Sequence, residues 1–208
     1  IFSSDNGPDP LTGERFNHDL RGAKYQVYEG GIRVPAFVCW PGKLPSGATL
    51  QHPVHIVDWM PTLLRLTGYE TNAENFKFDG RDIWPLMKGE PGAQSPHEAY
   101  CLMHGPGTVR SGKWKFYPWP EGKGGRRDAA AKPAASAESV QLYDTVADIG
   151  ETKNLAAENP EVVARLQAAY DAHVADIKAK NTYVYEIQEN GSLQNKRLFC
   201  ELGSDGMT

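Results

Sequence analysis

The chain has 208 residues, enough to bury a core in one or two domains. Its 22 Lys+Arg against 26 Asp+Glu leave a formal charge of -4, and no Lys/Arg block tracks an aromatic surface, which argues against a nucleic-acid partner. No apolar stretch approaches the roughly 20 residues of a membrane-spanning helix, and three cysteines, an odd count, leave at least one thiol outside any internal disulfide.

In chain order, Ile1 to Ser4 reads as the end of a buried strand running into Asp5-Asn6-Gly7. Asp9 to Asn17 is polar, with proline and glycine, and reads as a loop at a site. A charged segment follows, with one central lysine, Lys24, and the glycine pair Gly30-Gly31. Ile32 to Trp40 is rich in β-formers and predicts a strand, with Pro35 near its start or at a bulge. Asp58 is placed to cap a helix over Trp59 to Thr67, with Pro61 in its first turn and Gly68 at its end. Gly80 to Pro96, rich in glycine and proline, marks a subdomain boundary.

Short strands are predicted at Ala99 to Met103, Thr108 to Arg110, Lys113 to Tyr117 and Val140 to Tyr143. The stretch 121–139 is rich in glycine, alanine and lysine and reads as a mobile insertion. Asn159-Pro160-Glu161 opens a helix, and Val163, Leu166, Tyr170, Val174 and Ile177 recur at helical spacing, so the helix lays an apolar stripe on the small sheet. The last thirty or so residues suggest only a returning strand around Thr182 to Ile187, and there is no internal repeat.

The residue types suggest half of a site for an anionic ester. Asp5 and Asn6, at a strand end, offer the oxygen ligands of a hard cation, although Asp-Asn-Gly is equally the composition of a plain turn. Lys24 near such a cation would bind an anion, although a loop lysine is ordinarily just solvated. His18 could contact the substrate or protonate a leaving group, or be a solvated loop histidine. Arg21, Glu29 and Arg33 read as structural, with Glu29 and an arginine forming a buried pair that fixes the loop. His55 reads as a packed, hydrogen-bonded histidine. Trp114, Tyr117 and Trp119 read as core and rim of the small sheet rather than a sugar-stacking platform.

Six segments, in order, resemble the sulfatase family of the alkaline-phosphatase-like superfamily. They are Ser4-Asp5-Asn6-Gly7; the run from Leu20-Arg21-Gly22-Ala23-Lys24 through Glu29-Gly30-Gly31-Ile32-Arg33-Val34-Pro35; Trp40-Pro41-Gly42 with Gly47; and His55 with Asp58 and Pro61-Thr62-Leu63-Leu64. Val109-Arg110 with Gly112 and Trp114-Lys115 comes next, then Leu142-Tyr143-Asp144 with Asp148, Glu151, Asn154 and Leu155. The likeness runs to about Ile177.

The resemblance implies an α/β fold: the C-terminal part of a mixed sheet with helices, plus a small antiparallel sheet packed by a C-terminal helix. Residues 1–92 would close the catalytic domain, 93–180 would form the small α+β subdomain, and 181–208 would be a tail of unclear role. It implies that Asp5 and Asn6 hold calcium, or magnesium in some members. Lys24 would bind a sulfate oxygen, and His104 would contribute to substrate specificity unless it is a bland loop residue. The substrate would be a sulfate ester, aryl sulfate or sulfated carbohydrate.

The family's C-x-P-S-R or S-x-P-x-R segment, whose first residue becomes the formylglycine nucleophile, does not occur in the sequence. The chain is therefore expected to be a C-terminal portion that needs the N-terminal half of the enzyme and is inactive alone. The family implies a periplasmic, secreted or lysosomal location. Two other readings stay open: a phosphonate or phosphate ester hydrolase of the same superfamily, and a non-catalytic module binding sulfated glycans.

Overall fold

The structure, a computed structural model, describes residues 1–11, 17–69, 78–102, 107–120, 140–179, 181–187 and 193–201. Its first part is organised by two very short antiparallel strands, β1 (Phe2–Ser3) and β2 (Ala36–Phe37), with Phe2 opposite Phe37 and Ser3 opposite Ala36. The chain between them ends in one helical turn, α1 (Glu29–Ile32). The strand expected from Ile32 to Trp40 is thus mostly absent: Ile32 closes α1, and only Ala36 and Phe37 pair. Pro35 has no N–H for a ladder, and its carbonyl accepts from the Ser4 N–H at 3.1 Å. Nor is β1 buried. Ile1 and Phe2 are 62% and 51% exposed, because a two-stranded ribbon this short covers little; Phe2 stacks on Phe37 at 4.7 Å between ring centroids.

A 3-10 turn (Ile56–Asp58) runs into α2 (Trp59–Leu66), and Gly68, at φ +73°, follows the helix end as the sequence suggests. The Asp58 side chain does not cap α2. It reaches backwards and sideways, accepting from the His55 N–H and the Arg81 N–H, both at 2.9 Å, and meeting His97 Nε2 at 2.6 Å. The extra 3-10 turn moves the start of the element upstream, so His55 opens it, with Nδ1 accepting from the Val57 N–H at 3.3 Å. The expected boundary at 80–96 holds a further helix, α3 (Trp84–Lys88), with Pro85 in its first turn and Gly89 left-handed after its last. Thr62 Oγ accepts from the Ile83 N–H at 3.0 Å, so α2 and the start of α3 are fastened together.

β3 (Tyr100–Leu102), β4 (Thr108–Ser111), β5 (Trp114–Tyr117) and β6 (Gln141–Asp144) form an antiparallel meander in that order, close to the four predicted strands. Successive residues of a strand point to opposite faces. One set, Val109, Phe116 and Leu142, packs on the predicted helix, α4 (Pro160–Ala179), against Leu166 and Tyr170. The other set, Lys115, Tyr117, Gln141 and Tyr143, faces the segment 21–33. Val27 and Tyr28 there share a second core with Tyr117, Trp119 and Tyr143.

β7 (Asn181–Ile187) matches the predicted returning strand and pairs antiparallel with β8 (Leu193–Glu201), which the sequence reading missed. The 121–139 insertion and the Met103 end of the third predicted strand lie outside the described residues. Among the described residues, no helix is long and apolar enough to cross a membrane.

Candidate active site

Asp5 and Asn6 lie one residue beyond β1 and line an open cleft of about 560 Å³, whose walls include Asn17, His18 and Arg33. His18 holds a left-handed backbone, φ +50°, next to the buried Asn17. Asn17 fixes that corner: its carboxamide donates to the Leu20 carbonyl at 3.0 Å and to the Gly22 carbonyl. Lys24 is half-buried and does not line this cleft. Its backbone N–H donates to the Pro8 carbonyl at 3.0 Å, and its ammonium lies 5.3 Å from the Tyr25 ring centroid. Asp5, Asn6 and His18 therefore converge on one concavity, with Lys24 on the adjoining turn. His104 lies outside the described residues.

Three glycines allow close backbone packing here, Gly7 between the Asp5–Pro8 turn and the 21–33 segment, Gly30 and Gly31 within that segment. Gly7 donates its N–H to the Gly31 carbonyl at 2.9 Å, and Gly30 donates to the Arg21 carbonyl at 2.7 Å. A Cβ on Gly7 would collide with the Gly30 carbonyl. One on Gly30 would collide with the Gly22 carbonyl, and one on Gly31 with the Gln26 carbonyl. Backbone meets backbone at all three, which no other residue permits.

Behind this interlock lies a charge cluster. Glu29, 4% exposed, takes Lys115 Nζ at 2.8 Å and Arg110 at 3.3 Å on Oε1, and Arg33 at 3.4 Å on Oε2. The predicted pairing of Glu29 with an arginine is present, but its shortest ion pair is with Lys115, which is fully buried. Glu151, also fully buried, sits 3.3 Å from the same ammonium, accepts from the Glu29 N–H at 2.7 Å and takes the Tyr117 hydroxyl. Burial by itself would raise the Glu29 carboxyl, but Lys115, Arg110 and Arg33 outweigh it and hold Glu29 below the ordinary carboxylate range. For Glu151 burial wins: Lys115 and the hydrogen bonds counter it, the neighbouring Glu29 charge adds to it, and the carboxyl is raised.

The cleft's donors fit a hard cation in kind, a carboxylate and a carboxamide oxygen, but not in number. About six oxygens are usual, and no group of three His, Cys, Asp or Glu gathers among the described residues. Two features escaped the sequence reading. Arg33, read as purely structural, also lines the cleft. Lys115 and Glu151 reach the Glu29 turn from the far end of the sequence. The period-2 spacing of Lys115 and Tyr117 was the available signal for a shared polar face. A second concavity, about 540 Å³, is lined by His97, Arg81 and Arg165, and His97 there is committed to Asp58.

The family model described as Sulfatase matches residues 1–69. Human arylsulfatase A is 34% identical over 187 residues, covering 80% of this chain and 36% of that protein. Mouse steryl-sulfatase is 32% identical over 206 residues, covering 85% and 32%. A structure from work on glycosaminoglycan metabolism by Bacteroides thetaiotaomicron superposes with a TM-score of 0.66 at 24% identity, covering 83% of this chain and 38% of that one. The chain thus spans about a third of the length of these curated relatives.

Proposed function

Because the chain belongs to the sulfatase family, we propose that it carries the metal-binding and sulfate-binding portion of a sulfuric ester hydrolase. The observation that carries this reading is the convergence of Asp5, Asn6 and His18 on one cleft, with Lys24 bonded to the same turn through Pro8. In this reading Asp5 and Asn6 hold calcium or magnesium, with further oxygens from outside the described residues. When bound, the cation supplies Lewis-acid polarisation of a sulfate oxygen.

Lys24 binds a second sulfate oxygen and offsets the charge that develops on the bridging oxygen as the S–O bond breaks. A fixed cation in a water-poor site contributes a few kcal/mol, roughly 3, to such a transition state. His18 faces the cleft and gives a proton to the departing alcohol or phenol. Asn17 and Arg33 shape the wall that positions the ester. The formylglycine nucleophile belongs to a family segment that this sequence does not contain, so turnover requires sequence beyond it. The substrate is an aryl sulfate or sulfated carbohydrate, and the working location is outside the cytosol, as in the family.

The test is titration of inorganic sulfate into the protein with and without calcium, followed by an assay on an aryl sulfate. Calcium-strengthened sulfate binding that Lys24→Ala abolishes, with no turnover by this chain alone, is expected. Tighter binding of inorganic phosphate than of sulfate would shift the reading to a phosphate ester hydrolase. Turnover of the aryl sulfate by the pure chain would overturn the requirement for a further segment.

A further inference from the structure

We propose that Lys115 and Glu151 are positioning residues for the anion site, holding the 21–33 segment, and with it Lys24 and the Asp5–Pro8 turn, against the four-stranded sheet. Its functional meaning rests on the sulfate-site reading above. Arg110 and Lys115 are directly opposed in the β4–β5 register, so two cations stand side by side on one face of the sheet. Lys115 is fully buried, and like charges opposed across strands are unfavourable. That face therefore requires anions. Glu29 supplies one from α1 and Glu151 supplies the other from the loop after β6, and both carboxylates meet the one ammonium.

Glu151 is held in a left-handed conformation, φ +53°. A non-glycine residue keeps such a backbone where its surroundings over-determine it. Here they do. Its carboxylate takes the Glu29 N–H, Lys115 and the Tyr117 hydroxyl, and its carbonyl accepts from Arg21 at 3.1 Å. Arg21 also donates to the Tyr143 hydroxyl of β6 at 3.0 Å and lies 4.1 Å over the Tyr28 ring. Arg21 and Glu29, two points on the 21–33 segment, are thus both gripped by the same glutamate.

From Glu29 the connection to the site is short and made of backbone. Gly30 and Gly31 follow Glu29. Gly31 accepts from Gly7, the residue after Asn6, and Lys24 donates to Pro8, the residue after Gly7. Displacing Glu29 moves both partners of the Asp5–Asn6 turn. The ammonium of Lys115 never approaches the cleft, so its role is placement and not contact with substrate.

The experiment is amide hydrogen exchange by NMR on the chain and on Lys115→Met and Glu151→Gln, paired with inorganic sulfate titration. Exchange at Gly7, Lys24, Gly30 and Gly31 is expected to rise about tenfold in Lys115→Met relative to Phe116 and Leu166, with sulfate affinity falling in parallel. Glu151→Gln is expected to do the same more weakly, and it decides the matter if Lys115→Met does not fold. Lys24→Ala should weaken sulfate while leaving the exchange pattern alone. Equal acceleration in both sets of amides, or no change in either, overturns the proposal. Absence of sulfate binding in the unsubstituted chain sinks the sulfate reading instead, and the exchange result still decides the positioning.

Discussion

The two faces of the four-stranded sheet are made from alternate residues of the same strands, yet they work by different physics. The α4 side is apolar: Val109, Phe116 and Leu142 against Leu166 and Tyr170. Contact there depends on volume, and many residue sets of similar size would serve. The opposite side is polar and buried, with Lys115, Tyr117, Gln141 and Tyr143 each bonded to a named partner on the 21–33 segment or to one another. Such a face accepts one placement of its partner, since a small displacement would leave buried charges unmatched. The apolar face secures the sheet, and the polar face fixes where the 21–33 segment lies.

The largest effect should come from Lys115→Met, which leaves Glu29 and Glu151 facing each other without their shared cation. A loss of about 3–5 kcal/mol is expected for breaking a buried pair, read from urea unfolding. Leu166→Ala on the other face should cost about 3 kcal/mol, within the range for a buried leucine. It sharpens the contrast, because folded Leu166→Ala protein should keep its sulfate affinity while folded Lys115→Met protein should lose it.

The pH response should separate the two carboxyls. Glu29, lowered in the folded state, contributes stability above its unfolded pKa, and that contribution is lost as pH falls through its lower folded value. Glu151, raised in the folded state, contributes stability below its unfolded pKa, lost as pH rises through its higher folded value. On acidification from neutrality, urea midpoints should first rise as Glu151 is protonated, then fall as Glu29 is. Glu151→Gln should remove the first change and Glu29→Gln the second. The smallest effect on folding belongs to Lys24→Ala, within about 0.5 kcal/mol because no described ion pair is broken, although sulfate binding should be lost. A large stability loss there would show that Lys24 is part of the buried frame.

Much of this architecture was readable from residue types. The four short strands, α2, α4 and β7 announce themselves by period and punctuation. The errors have local causes. The β-rich run from Ile32 to Trp40 was outvoted by backbone packing at Gly30 and Gly31 and by Pro35, which leave room for only a two-residue ladder. Asp58 has the composition of a cap, but its carboxylate serves segments near Arg81 and His97 that no local pattern connects to it. α3 was hidden in a stretch whose glycine and proline are in fact its terminal signals.

The site divides the same way. The sequence by itself determined the donor types at Asp5, Asn6, His18 and Lys24, the glycines that must pack closely, and the family, because these depend on residues near one another in the chain. Only the tertiary structure decided that Arg33 faces the cleft and that Glu29 answers first to Lys115 and Glu151. The Glu29 relations join positions more than eighty residues apart, in the Glu29–Lys115 and Glu29–Glu151 contacts. A buried charge chooses its partner by three-dimensional proximity and shared desolvation, neither of which is written into local spacing.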